Sequence, residues 1–404
     1  MTAESGLFLA LLFVAAAATG WLFARMTKPG GRKEKTGDDF SSDYFEGLNF
    51  LLNEQPDKAL GVFVRMVDVD SETIDTHFAL ASLFRRRGEV HRAIGIHQNI
   101  IDRSDLPKAD RERAMKALAD DYLKAGIFDR AEAILSKLSE KAHYRQAALE
   151  GLVGIYEQER DWEKAIDVRD QLAVVAHGGG SASIVAHYYC ELAEEAAKDA
   201  DMSRHREYLR RARAADRNCV RSALLRADRA IHEEDFHLAA RLYEKVMEID
   251  GAFVPMVLRP LRDCYVSMGD QQGLEKLLAR MVSDIPELRP GIAYAAIMDG
   301  GFEDKVTTDC ILEFVEQNPI LMDLMKILRP AATTEDAQRN IRRVSQALSK
   351  LAGRGPSYLC ENCGFAGSVL EWRCPTCKEW DTTRPMNYFR LQVMLTPPPR
   401  AAAN

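Results

Sequence analysis

Five stretches of this sequence place an alanine in the same setting of charged, aromatic and aliphatic residues: EQPDKALGVF (54–63), RGEVHRAIGIH (87–97), AGIFDRAEAIL (125–135), ERDWEKAIDV (159–168) and EEDFHLAARLY (233–243). The first four alanines, Ala59, Ala93, Ala131 and Ala165, follow one another at intervals of 34, 38 and 34 residues. Self-similarity at such a period indicates a repeat architecture, in which each repeat is one supersecondary unit.

The residues before each alanine suggest what that unit is. Twelve positions earlier stands a small or modest side chain, at Gly47, Ala81, Ala119, Val153 and Ala227. Nine positions earlier four of the five stretches carry a bulky ring, at Phe50, Phe84, Tyr122 and Tyr156. Two antiparallel helices approach closely where small side chains face each other, and larger groups fill the groove beside them. The pattern therefore predicts helical hairpins, with turns at Gly88, Gly126 and Gly269.

These hairpins resemble the tetratricopeptide repeat, although a helical bundle with accidental spacing is the alternative. Besides the five clear units we expect degenerate ones around His205 and Leu274, which gives seven repeats over residues 40–285. Helical periodicity without the repeat spacing predicts capping helices at residues 286–352, and GRGP at 353–356 marks a boundary. Stacked hairpins form a superhelix with a concave surface for peptides or proteins.

Composition narrows the classes of function. The 404 residues include 54 Lys and Arg against 61 Asp and Glu, a net charge of −7 that disfavours generic nucleic-acid binding. Few glycines and prolines favour an all-α body. The sequence lacks the common phosphate-loop, zinc-protease and serine-hydrolase motifs, so we expect no enzymatic activity.

We expect histidines that are hydrogen-bonded within the protein or solvated at His77, His91, His97, His187 and His205. Small core residues are expected at Cys190, Cys219, Cys264 and Cys310.

The N-terminal region carries a candidate membrane anchor. Residues 5–24 (SGLFLALLFVAAAATGWLFA) contain no charge, and at about 1.5 Å per residue they match a hydrocarbon core of about 30 Å. A cleaved signal peptide is the alternative, but no Lys or Arg precedes the run. Positive charges follow it, at Arg25, Lys28, Arg32, Lys33 and Lys35. The positive-inside rule predicts one transmembrane anchor at residues 1–26, a basic linker at 27–39 and a cytoplasmic body.

A second local signal lies near the C-terminus, where residues 358–380 read YLCENCGFAGSVLEWRCPTCKEW. Cys360, Cys363, Cys374 and Cys377 form two C-x-x-C pairs ten residues apart. Each pair can reach one ion from a tight turn, and two such turns complete a tetrahedral four-thiolate site. We expect residues 356–385 to form a metal-binding module, hereafter the metal module. Ten intervening residues suffice for a short β-hairpin.

The identity of the metal is left open by the spacing. Tetrahedral thiolates accept Zn²⁺ or a single iron, and the two turns resemble rubredoxin turns, which hold iron. Two redox disulfides and a nucleic-acid zinc ribbon are the alternatives. Basic and acidic residues balance in this region, which disfavours phosphate binding. Because only residues 353–356 separate the metal module from the capping helices, we expect it to pack against the repeats through Trp372 or Trp380.

The order of anchor, repeats and rubredoxin-like module resembles the lipopolysaccharide assembly protein B family of Gram-negative bacteria. The resemblance extends over residues 43–44, 47, 49–52, 83–85, 87–90, 94, 96–98, 129–132, 164–168, 189–193, 360, 363–365, 372, 374–375, 377 and 380. The resemblance implies that the protein lies in the cell inner membrane. It also implies that the metal is bound by Cys360, Cys363, Cys374 and Cys377. Three features depart from the family pattern: the glycines at 178–180, His205 at the position of a repeat alanine, and a proline-rich tail at 396–404 that we expect to be disordered.

The resemblance implies an adaptor that lowers lipid A synthesis. The implied partners are the membrane ATP-dependent zinc metalloprotease, the cytoplasmic deacetylase of the lipid A pathway that this protease degrades, and other lipopolysaccharide assembly proteins. A rubredoxin-type electron-transfer protein docked through its repeats is the competing function. Reversible one-electron reduction would distinguish that function from adaptor activity.

Overall fold

The computed structural model describes residues 74–104, 106–176, 181–299, 304–317 and 357–386, with isolated positions between 45 and 62. The expected anchor at 1–26, the linker at 27–39, the glycines at 178–180 and the tail at 396–404 lie outside the described residues, as do most of the first repeat and residues 318–352. Among the described residues, no helix is both long and apolar enough to cross a bilayer. The chain divides into two compact units, residues 1–148 and 149–404.

The first unit consists of helical hairpins. Its helices are α1 (Ile74–Arg86), α2 (Val90–Ile101), α3 (Lys108–Ala125) and α4 (Phe128–Ser139), and α5 (Arg145–Glu159) runs across the boundary. The predicted small residues Ala81, Ala93, Ala119 and Ala131 are fully buried. The repeat spacing is therefore confirmed here by close helix packing.

The second unit continues the same design. Its helices are α6 (Trp162–Ala176), α7 (Ser181–Lys198), α8 (Met202–Ala215), α9 (Val220–His232), α10 (Phe236–Ile249), α11 (Val254–Ser267), α12 (Gln271–Asp284), α13 (Arg289–Asp299) and α14 (Lys305–Glu316). Short 3₁₀ turns at Gly251–Phe253 and Pro286–Leu288 precede α11 and α13. Helices α13 and α14 lie where we expected capping helices, and the assignment of 40–285 to repeats and 286–352 to caps stays a prediction.

One backbone feature identifies the hairpin turns. Gly88, Gly126 and Gly269 lie five residues before the repeat positions Ala93, Ala131 and Leu274. Their φ angles are +82°, +73° and +71°, the left-handed conformation in which helices commonly end. The hairpins without glycine keep this conformation, at Arg160, Ala200 and Glu234. The turn geometry thus confirms the hairpins around His205 and Leu274 that the sequence marked as degenerate.

His205 replaces the small alanine without breaking its hairpin. Its side chain is buried, and Nδ1 lies 2.8 Å from the carbonyl oxygen of Ala193, twelve residues earlier on α7. His97 is likewise satisfied, with Nδ1 2.6 Å from a carboxylate oxygen of the buried Asp121. Our expectation was wrong for His187, which is buried and whose Nδ1 has no hydrogen-bond partner among the residues that the structure describes.

The metal module adds a small three-stranded sheet. Its strands are β1 (Tyr358–Cys360), β2 (Ala366–Gly367) and β3 (Thr383–Pro385), in the order β2-β1-β3 with both pairings antiparallel. Strand β2 lies in the ten residues between the two cysteine pairs, but it pairs with β1 across the first C-x-x-C turn. The hairpin is therefore closed by the metal-binding turn itself. The four single cysteines, Cys190, Cys219, Cys264 and Cys310, are buried, as predicted.

Candidate metal centre and its contact with the repeats

The two C-x-x-C turns have the same backbone geometry. In the first, the N–H of Gly364 donates to the carbonyl of Cys360 at 2.9 Å, and Gly364 has φ of +75°. In the second, the N–H of Lys378 donates to the carbonyl of Cys374 at 2.9 Å with φ of +63°. Each turn thus curls the backbone so that both of its thiols point to one place.

The four sulfur atoms lie within 4.8 Å of one another. Cys360 Sγ is 3.8 Å from Cys377 Sγ, and Cys363 Sγ is 3.6 Å from Cys374 Sγ. A tetrahedral site with metal–sulfur bonds of about 2.3 Å requires sulfur–sulfur separations of about 3.8 Å. The arrangement therefore fits a single metal ion, and zinc and iron fit it equally well.

Hydrogen-bond donors favour the metal-binding thiolate form at Cys360 and Cys377. At Cys363 the backbone N–H of Phe365 lowers the pKa, but desolvation and the neighbouring thiols outweigh it and raise the pKa to about 11. Burial raises the pKa of Cys360, but the hydroxyl of Thr382 and the backbone N–H groups of Cys363 and Asn362 outweigh it and bring the pKa to about 6. The backbone N–H of Glu379 similarly lowers the pKa of Cys377. Hydrogen bonds to the ligating sulfur atoms are usual in metal sites, where they stabilise the charged thiolates.

The metal module packs against the repeats of the second unit through both predicted tryptophans. Trp380 is buried, and its Nε1–H donates to Oε1 of Glu157 on α5 at 3.1 Å. Its ring lies edge-on to those of Trp162 and Tyr188, with centroids 5.9 and 5.5 Å away. Trp372 stacks on Phe253, with centroids 5.7 Å apart and planes at 11°. The expectation that the module contacts the repeats is confirmed.

Glu157 is the polar centre of this contact. Its carboxylate accepts a hydrogen bond from Arg373 of the metal module at 2.7 Å and from Arg169 at 3.4 Å, in addition to Trp380. The hydroxyl of Tyr188 donates to the same carboxylate. A carboxylate this buried is stable only when it is neutralised and hydrogen-bonded, and the two arginines and two neutral donors meet that requirement.

A second charged cluster lies beneath Trp372. The guanidinium of Arg221 on α9 is buried, lies 6.0 Å from the Trp372 ring centroid, and pairs with Glu191 and Glu194 on α7 at 2.8 and 2.9 Å. Arg384 of the metal module pairs with Asp250 at 2.7 Å. The contact therefore combines aromatic stacking with ion pairs that are partly removed from water.

His187 lies between Trp372 and Trp380. Its ring is 5.7 Å from that of Trp372 and 5.5 Å from that of Trp380. Burial, reinforced by the positive charges of Arg221 and Arg384, lowers its pKa to about 3. The side chain is therefore neutral at physiological pH.

The first helices of three successive hairpins supply part of this contact surface, through Glu157 on α5, His187 and Tyr188 on α7, and Arg221 on α9. We call these four residues the module seat. Sequence reasoning identified the tryptophans but not the module seat. A single Glu or Arg on a helix resembles any solvated residue, and the only available signal was the surplus of tryptophans in so small a module.

The metal module and the repeats each match a known protein family. A family model described as "Rubredoxin metal binding domain" matches residues 358–385, and one described as "Tetratricopeptide repeat" matches residues 76–112 and 148–182. Among solved structures, the C-terminal part of a repeat protein from Cytophaga hutchinsonii covers 69% of this chain and 98% of its own, at 14% identity and a TM-score of 0.36.

Two curated relatives match nearly the whole chain. Lipopolysaccharide assembly protein B of Escherichia coli (strain K12) is 30% identical over 379 residues, which cover 93% of this chain and 97% of the relative. The protein of the same name from Haemophilus influenzae is 28% identical over 395 residues, with the same coverage of both chains.

Proposed function

This chain belongs to the lipopolysaccharide assembly protein B family, and from that premise we propose that it is a non-enzymatic adaptor at the cell inner membrane. In this proposal it presents the lipid A pathway deacetylase to the membrane ATP-dependent zinc metalloprotease and so lowers lipid A synthesis. It also gathers other lipopolysaccharide assembly proteins. Family membership and the repeat fold support a regulatory role through protein partners.

The observation that carries the proposal is the fixed contact between the metal module and the module seat. Stacked hairpins provide a rigid surface for partners, and the hydrogen bonds to Glu157 hold a second folded module against that surface. Such an arrangement is suited to binding partners in a defined geometry.

We further propose Cys360, Cys363, Cys374 and Cys377 as the ligands of one zinc or iron ion. A metal bound by four thiolates leaves no open coordination position, which is typical of structural sites. Cys360 and Cys374 are buried, so the ion would act as a cross-link within a module too small to fold on apolar burial alone.

The anchor at residues 1–26 would confine the cytoplasmic body to the plane of the membrane. Confinement raises the effective concentration of a captured deacetylase near a membrane protease without any additional contact. The linker at residues 27–39 carries basic side chains that attract anionic headgroups.

Crosslinking in native membranes tests the proposal. We expect the full-length chain to capture both the metalloprotease and the deacetylase, and its removal from cells to raise the deacetylase level. Absence of both proteins from the crosslinked material, together with an unchanged deacetylase level, would overturn the adaptor function. A reversible one-electron reduction of bound iron in that same material would favour the electron-transfer alternative.

A further inference from the structure

A cleft of about 490 Å³ lies in the second unit, lined by residues of α6, α7 and α8. Its volume is within the range of about 300–1,000 Å³ that holds small ligands. The main walls of this cleft are α6 and α8, the second helices of two successive hairpins. Trp162 at the start of α6 contacts the metal module, but none of the residues that line the cleft is among those described above as contacting it. The lining of the cleft is therefore distinct from the module seat.

The floor of the cleft is aromatic and aliphatic. Tyr189 on α7 and Tyr208 on α8 stack with ring centroids 6.5 Å apart and planes at 26°. Leu192 and Ile166 extend this apolar surface. The face of an aromatic ring carries partial negative charge, so two tyrosines in this setting attract a cation.

The positive groups on the α8 wall are partly neutralised by neighbours. Arg211 Nε is 2.8 Å from a carboxylate oxygen of Glu207, which also pairs with Arg210 at 2.7 Å. Arg204 pairs with Asp201 at 3.5 Å. Three arginines thus share two carboxylates, and this wall keeps one positive charge against the two carboxylates of the opposite wall.

The opposite wall carries negative charge, and its carboxylates have no cationic partner among the described residues. Glu163 and Asp167 lie one turn apart on α6. Glu163 accepts a hydrogen bond from the hydroxyl of Tyr208 at 3.3 Å, a neutral donor. In the part of the chain that the structure describes, Asp167 forms neither an ion pair nor a hydrogen bond. Burial and the charge of Glu163 raise the pKa of Tyr208, so that hydroxyl stays protonated.

We propose that this cleft binds an arginine side chain of a protein partner, with the guanidinium paired to Asp167 and Glu163 and stacked on the tyrosine pair. Arginine fits better than lysine because its planar guanidinium pairs with carboxylates and stacks on aromatic faces. The proposal deepens the adaptor function and depends on it only for the assumption that the ligand is a protein.

The test measures the affinity of the full-length chain, in nonionic detergent, for an acetylated and amidated Gly-Arg-Gly peptide. The same peptide with citrulline in place of arginine is the neutral control. We expect the Kd for the arginine peptide, measured by saturation-transfer NMR, to be at least tenfold lower than that for the citrulline peptide. The double variant Glu163→Gln/Asp167→Asn should abolish this difference.

Asp170→Asn is the matched control, since Asp170 is exposed on α6 and does not line the cleft. It should keep the full preference for arginine. Equal affinity for both peptides in the unaltered chain, or an unchanged preference in the double variant, overturns the assignment of the cleft. If deacetylase levels in cells still depend on the chain in that case, the adaptor function stands and only the cleft assignment fails.

Discussion

Trp380 of the metal module donates its indole N–H to the buried carboxylate of Glu157, 223 residues away in the sequence, at 3.1 Å. Arg373 binds the other oxygen of the same carboxylate at 2.7 Å. One acidic side chain on α5 thus binds two side chains of the module, and its removal should weaken the contact.

Glu157→Ala should weaken the contact by about 3 kcal/mol, because it leaves Arg373 and the Trp380 N–H without their buried partner. We expect faster hydrogen exchange in residues 357–386 while the metal remains bound. Glu159→Ala, at an exposed position on the same helix, is the control and should leave exchange unchanged. Unaltered exchange in the Glu157 variant would show that aromatic packing alone holds the module.

Cys374→Ser should release the metal, because three thiolates and a hydroxyl bind zinc or iron much more weakly than four thiolates. Elemental analysis should show the loss, and residues 357–386 should become sensitive to protease at the same time. Cys264→Ala removes a buried thiol outside the cluster and should keep the full metal content. A Cys374 variant that retains its metal would exclude this residue as a ligand.

Acidification should weaken the packing around His187. Its pKa is about 3 in the folded protein against about 6.5 unfolded, so the unfolded chain binds a proton first as the pH falls. The contribution of neutral His187 to the free energy of unfolding is therefore fully present above pH 6.5 and is lost as the pH falls toward 3. The loss between pH 7 and 5.5 is about 1 kcal/mol. Thermal unfolding of the full chain at both pH values checks this.

The His187→Phe variant separates this effect from protonation of the cysteines, because it removes the imidazole and keeps an aromatic ring beside both tryptophans. We expect the unaltered chain to lose more stability than the variant between pH 7 and 5.5. An equal loss in both proteins would assign the pH dependence to other groups.

Under the proposed adaptor function, deletion of residues 2–26 should leave the fold of the repeats and the metal module intact but impair function, because the chain loses only the proposed confinement to the membrane. The deacetylase level in cells, compared at equal abundance of the two chains, is the measurement. A level held as low by the shortened chain as by the intact one would refute the confinement argument.

The sequence by itself determined the repeated hairpins and the cysteine cluster, since both depend on local spacing. A spacing of twelve positions from Ala81 to Ala93 brings two small side chains together across a hairpin, and two residues between Cys360 and Cys363 let one turn present both thiols. The same local logic explains why hairpins without glycine, such as the one turning at Ala200, could still be recognised from their spacing.

Only the tertiary structure decided where the metal module lies and what it contacts. Glu157, Tyr188 and Arg221 come from helices of different hairpins, and no periodicity relates them to Trp372 or Trp380. Burial gives these residues and the imidazole of His187 their energetic importance. In water the same ion pairs and the same imidazole would contribute little to stability. Burial depends on contacts between distant parts of the chain, so the packed fold was required to reveal it.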